Sequence, residues 1–129
     1  MKLETNRLII RPFLPTDYEA VYDYMSDPKT TYFLPEGVMS ESDVKTFITH
    51  NTKAFAIYLK EGTQLVGHIE FYPWFGEHTY EIGWAINPHY QGQGIAHEAA
   101  HQTLKYGFES LGIHRVIATA NLRMSPLSV

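Results

Sequence analysis

The sequence predicts an α/β (α+β) domain, with a mainly antiparallel central sheet flanked by helices and one β-α-β crossover near its end. Three observations lead there. Short apolar runs recur between turn signals, two capped amphipathic segments interrupt them, and a glycine-rich turn joins the last long strand to a helix of about 16 residues.

Taken in order, Leu8 to Phe13 is a short apolar stretch stopped by Pro12 and Pro15, and predicts a strand. Thr16-Asp17-Tyr18-Glu19 reads as a capping box, hydroxyl and carboxylate satisfying the first free amides of a helix that runs to about Ser26. Asp27-Pro28 ends it, because the residue before proline avoids helical geometry. Ser40-Glu41-Ser42-Asp43 opens a second helix with Val44, Phe47 and Ile48 on one face. Phe55 to Leu59 and Gln64 to Trp74 flank Lys60-Glu61-Gly62-Thr63, a hairpin signal. Thr79 to Ile86 predicts another strand, closed by Asn87-Pro88. A helix then runs from near Gly94 to Ser110, with Gly112 as a left-handed cap. Arg115 to Ala120 is a β-branched strand.

The chain has 129 residues, 44% hydrophobic and 19% charged, which suits one soluble globular domain. No repeat, linker or low-complexity block divides it, so residues 1–129 read as a single domain. A net charge of −4 and a pI near 5.9 argue against a nucleic-acid partner and accord with a cationic substrate. With no cysteine, disulfides, thiolate zinc sites and cysteine nucleophiles are excluded. The N-terminus, M-K-L-E-T-N-R-L-I-I-R-P-F, has charges on both sides of a short apolar core. It matches neither a signal peptide nor a membrane span, so no membrane association and a cytoplasmic location are expected.

Residues 91 to 101, Q-G-Q-G-I-A-H-E-A-A-H, hold two patterns. Gln91 to Ala96 forms a glycine loop at a helix start, where unpaired amides and the helix dipole attract an anion without a lysine. A Rossmann loop would need a third glycine where His97 stands, and no G-K-[ST] tripeptide is present, so the nicotinamide and nucleoside-triphosphate readings fit poorly. His97-Glu98-Ala99-Ala100-His101 spells the H-E-x-x-H of zinc peptidases, a remote alternative. Its further ligands do not follow: Leu104 and Gly107 occupy the metzincin glycine and histidine positions, and no acidic residue follows Glu109. No metal site is expected.

The glycine loop resembles that of the GNAT superfamily of acyl-CoA-dependent N-acetyltransferases, whose [Q/R]-x-x-G-x-[G/A] it matches at each fixed position. The run from Glu81 to Ala99, E-I-G-W-A-I-N-P-H-Y-Q-G-Q-G-I-A-H-E-A, and the opening T-N-R-L-I-I-R-P-F resemble the branch that contains ribosomal-protein N-terminal acetyltransferases. The resemblance covers residues 5 to about 120 in element order. It implies an N-acetyltransferase that moves acetyl from acetyl-CoA to a primary amine by direct attack, the acceptor being a protein N-terminus or a small amine. It further implies that Gln91, Gly92, Gln93, Gly94, Ile95, Ala96 and His97 hold the CoA pyrophosphate. Trp84, Ala85 and Ile86 would pair with the pantetheine arm, and the Ile86 amide or one beside it would polarise the thioester carbonyl. A bulge or splay is expected in this strand, since the cofactor must wedge between it and strand 115–120.

Glu81 and Glu70 are the candidate general bases, on adjacent strands in apolar surroundings; either could instead pair structurally with Arg or Lys. His68 is a weaker candidate. Tyr72, Trp74, Phe75 and Trp84 could wall an acceptor pocket or simply belong to the core. After strand 115–120 the family continues into a helix that packs on CoA, a pattern Asn121 to Val129 does not match. The resemblance therefore leaves the last helix and strands missing, and a chain that binds CoA or a partner without turnover is the alternative. An exposed edge at strand 115–120 favours a homodimer.

Overall fold

Hairpin chemistry sets most of the sheet. The computed structural model describes residues 1–31 and 37–118. Along the chain these form β1 (Leu3–Glu4), β2 (Leu8–Arg11), α1 (Tyr18–Met25), α2 (Pro28–Thr31), α3 (Glu41–His50) and β3 (Ala54–Leu59). They continue as β4 (Gln64–Pro73), β5 (Thr79–Ile86), α4 (Ile95–Ser110) and β6 (Arg115–Ile117). The sheet order β1-β2-β3-β4-β5-β6 follows the chain, with antiparallel neighbours until β5 and β6 run parallel. A parallel pair needs a crossover, and α4 supplies it.

Side chains alternate across a strand, so each face of the sheet collects its own set. Ile69 and Phe71 of β4 join Ile82, Trp84 and Ile86 of β5 beneath Ile95, Ala99 and Ala100 of α4. On the opposite face His68, Glu70 and Tyr72 stand against Ala85, Gly83 and Glu81 in register. There α1 and α3 bring Val21, Tyr24, Met25, Val44 and Ile48 against Ala56, Leu65 and Ala85. The register between β3 and β4 slips by one, from Ile57↔Gly67 to Tyr58↔Leu65, which makes Val66 an extra residue and exchanges the faces beyond it. Small residues let α4 lie close to the sheet. A Cβ on Gly107 would stand 2.6 Å from Ile113 Cδ1 and 2.8 Å from Phe71 Cζ.

The fold class and the crossover agree with the sequence reading, and so does the α3 capping box, in which Ser40 Oγ accepts from the Asp43 amide at 3.1 Å. Gly112 has a φ of +67° and ends α4 as expected. The cap of α1 differs. A 3₁₀ turn over Pro15–Asp17 precedes the helix, and Asp17, not Thr16 and Glu19, holds the entry: its carboxylate accepts from the Leu14 amide at 2.7 Å and from Arg11 at 2.8 Å. The charged partner six residues back decides between two carboxylates of equal local merit. β1 and α2 were not foreseen, being two and four residues long. The expected strand to Ala120 reaches Ile117, and the readings of residues 119–129, including the missing last helix, lie outside the described residues.

Candidate active site

β5 ends where the chain must turn into α4, and the turn is built from Asn87 to Gly94. Asn87, nearly fully buried, donates its side-chain amide to Asp23 at 2.9 Å and accepts from the His89 amide at 3.0 Å. Gly92 and Gly94 take φ values of +80° and +76°, the left-handed region that other residues avoid. Among the described residues no acceptor takes a hydrogen bond from the amides of Gly92 to His97. The first α4 amide with a partner is Glu98, bonded to the Gly94 carbonyl at 3.0 Å. Six consecutive amides at the positive end of a helix are thus available to an anion. No protein atom lies within 4 Å of where a Gly92 Cβ would sit, so a bulky diphosphate can approach the backbone.

The β5 end has a directional pattern. The Asn87 amide bonds the Val66 carbonyl at 2.8 Å and the Trp74 amide bonds the Thr79 carbonyl at 2.9 Å, which fixes the phase of the β4–β5 ladder. By alternation the main-chain groups of Ala85 face β4, while those of Trp84 and Ile86 face the other edge. On that edge β6 pairs with Thr79, Tyr80 and Glu81, and β5 continues for several residues past this ladder. No register shift interrupts β5 against β4, so the expected bulge is absent there; the shift lies one strand over, at Val66. Past Glu81 the neighbours of β5 on the β6 edge lie outside the described residues. Gly67 lets the two strands approach at this point, since a Cβ there would meet the Ala85 carbonyl at 2.4 Å. The Gln91 side chain donates to the Ile86 carbonyl at 3.3 Å and ties the loop back to the strand.

Glu81 and Glu70 fall on the α1/α3 face. Glu81 is buried, and Tyr72 donates its hydroxyl to a Glu81 carboxylate oxygen at 2.6 Å. Glu70 is partly exposed and lies diagonally from Glu81 across the ladder, opposite Gly83. His68 is buried with its Nδ1 2.7 Å from the Tyr24 hydroxyl, and burial lowers its pKa to about 4. Desolvation also raises the Tyr24 pKa well above its ordinary value. Trp84 is on the other face, in the core beneath α4, so its ring does not join Tyr72 and Trp74 in a wall. Phe75 is 86% exposed at the hairpin tip, with its ring 5.4 Å from that of Trp74.

The H-E-x-x-H residues are drawn in different directions. His97 and His101 line an open groove of about 510 Å³, their rings nearly parallel with centroids 6.3 Å apart. Glu98 points to the β1–β2 turn, where its carboxylate accepts from the Thr5 hydroxyl, the Arg7 amide at 3.2 Å and Arg7 Nε at 2.7 Å. Burial raises the Glu98 pKa, and the hydrogen bonds from Thr5 and Arg7 lower it by more, leaving it below the usual value. Among the described residues no three His, Asp or Glu side chains are grouped to hold a metal ion. Arg7 also donates from Nη1 to the Gln93 carbonyl at 2.9 Å. Thr5 and Arg7 were not singled out as site residues, because their contacts to the loop span about ninety positions and leave no local spacing to read.

An α+β sheet whose last long strand opens through a glycine turn into a helix is the frame of an acyltransferase fold. The chain belongs to the GNAT acetyltransferase family: the pattern of the acetyltransferase (GNAT) domain matches residues 7–123. It is 48% identical over 123 residues to the uncharacterized N-acetyltransferase YnaD of Bacillus subtilis, covering 92% of this chain and 72% of that protein. A solved GNAT-family acetyltransferase from Bacillus anthracis is also 48% identical, with a TM-score of 0.88 over 92% of this chain and 72% of its own. The ribosomal-protein-S5-alanine acetyltransferase of Vibrio fischeri, 18% identical, shares the fold with a TM-score of 0.63 over 90% of this chain and 72% of its own. Among the described residues no helix is long and apolar enough to cross a membrane.

Proposed function

We propose that this domain binds acetyl-CoA along the β5 end and the α4 N-terminus and transfers its acetyl group to a primary amine. The row of amides from Gly92 to His97, without partners among the described residues, carries the reading. These amides would hold the pyrophosphate, with Gln91 bracing the loop against β5. Trp84 and Ile86 would offer their outward main-chain groups to the pantetheine arm as an added strand does, Ala85 being occupied with β4. The thioester supplies an acyl carbon activated toward nitrogen. As the neutral amine attacks it, the Ile86 amide would donate to the developing oxyanion. Glu81, oriented by the Tyr72 hydroxyl, would take the proton the amine loses, directly or through a water, and Glu70 is the second candidate for that role. The C–S bond then breaks, and the CoA thiolate takes a proton from solvent or from the protonated base.

The acceptor in this reading is a protein N-terminus or a small amine, which suits a chain of net charge −4. A cytoplasmic location accompanies it, since acetyl-CoA is made and used inside cells. The test is release of free thiol from acetyl-CoA in the presence of a panel of amines and N-terminal peptides. Amine-dependent release is expected. Tight CoA binding with no release on any amine would favour a binding module instead.

A further inference from the structure

The two stretches that carry the family resemblance, T-N-R-L-I-I-R-P-F and E-I-G-W-A-I-N-P-H-Y-Q-G-Q-G-I-A-H-E-A, pack together in the core and are joined at the surface by Thr5 and Arg7 against Glu98 and Gln93. Glu98 stands in the first turn of α4, within reach of the anion loop. A carboxylate there favours the helix dipole and repels a phosphate at the same N-terminus. The loop itself is exposed from Gln91 to Gly94 and has two left-handed glycines, so its own backbone does little to fix it.

We propose that Arg7 is a positioning residue for the diphosphate of the acyl donor, acting through the loop rather than by touching the ligand; this rests on the acetyl-CoA reading above. Two effects combine. First, Arg7 Nη1 holds the Gln93 carbonyl at 2.9 Å, and in a trans peptide the Gly94 N–H must point the opposite way, away from Arg7. The guanidinium therefore aims an amide at the anion. Second, Arg7 Nε at 2.7 Å from Glu98, helped by the Thr5 hydroxyl, neutralises the one carboxylate in the first turn. A Cβ at Gly94 would meet Arg7 Nη2 at 3.6 Å, an ordinary contact, so the left-handed φ of +76° is what calls for glycine there.

The test compares acetyl-CoA with S-acetylpantetheine, which carries the same thioester and no diphosphate. Arg7→Gln should raise the Kd and KM for acetyl-CoA roughly tenfold and leave kcat and the KM for S-acetylpantetheine near wild type. Glu98→Gln, which retains Arg7 on Gln93, should bind acetyl-CoA at least as tightly as wild type. The double variant should recover part of the Arg7→Gln loss, because the unpaired carboxylate is gone. An equal loss for both thioesters would reduce Arg7 to a structural role and overturn the proposal, as would a double variant no better than Arg7→Gln. Wild-type protein that fails to bind acetyl-CoA would overturn the functional reading itself, and the proposal with it.

Discussion

Beneath α4 the β4–β5 ladder presents Ile69, Phe71, Ile82, Trp84 and Ile86, while on its other face the same two strands present His68, Glu70, Tyr72 and Glu81. Depth alone does not distinguish them: Glu70 and Tyr72 are half-buried, but Glu81 is 2% exposed and His68 1%, as buried as the isoleucines opposite. Cost does. An apolar side chain gains by leaving water, whereas a buried polar group at best recovers its desolvation through hydrogen bonds such as Tyr72–Glu81 and Tyr24–His68. The α4 face is thus a stabilising core, and the α1/α3 face accepts an energetic handicap where the chemistry is proposed to occur.

That contrast predicts opposite phenotypes on the two faces. Glu81→Gln should lower kcat by roughly 10²- to 10⁴-fold with little change in acetyl-CoA affinity, measured by steady-state kinetics and calorimetry. An unchanged kcat would remove Glu81 from the chemistry and leave Glu70 as the base. On the apolar face, Ile69→Ala should cost about 2–5 kcal/mol in denaturant titrations and leave kcat per folded molecule intact.

Acid should find the polar face first. His68 has a folded pKa of about 4 against an ordinary 6.5, so the unfolded chain binds a proton that the folded chain refuses between those values. This contribution to stability is complete above pH 6.5 and falls as pH drops toward 4, by about 3 kcal/mol in all. Stability measured from pH 7 to pH 4 in wild type and His68→Gln checks it; the variant should show the shallower fall. The smallest effect belongs to the loop. Gly92→Ala meets no neighbour, so only the left-handed backbone, worth about 1–2 kcal/mol, resists it. Thermal unfolding of the free protein should register that amount.

What was legible in the sequence was local. Ser40 with Asp43, Gly62 between β3 and β4, the glycines at 92 and 94, and Gly112 after α4 are each read from neighbours within a few residues, and each appears where expected. The face of each strand residue was harder to read, because the extra residue Val66 exchanges the alternation within β4. The expected grouping of Trp84 with Tyr72 and Trp74 fails for a different reason: spacing does not reveal the β4–β5 register, in which Trp84 pairs with Ile69 and its ring lies beneath α4. The α1 cap went to the wrong carboxylate because Arg11 was not recognised as the partner of Asp17. The loop was visible and its brace was not: nothing in the spacing of Arg7, Gln93 and Glu98 reveals that they touch.

Everything proposed for this site depends on the amides of Gly92 to His97 binding the acyl donor. Titrating ¹⁵N-labelled protein with acetyl-CoA and following each amide resonance tests it most directly. The largest shifts are expected at Gly92 to His97, with Trp84 and Ile86 moving alongside. Resonances of Gly92 to His97 that stay in place at saturating acetyl-CoA would contradict it.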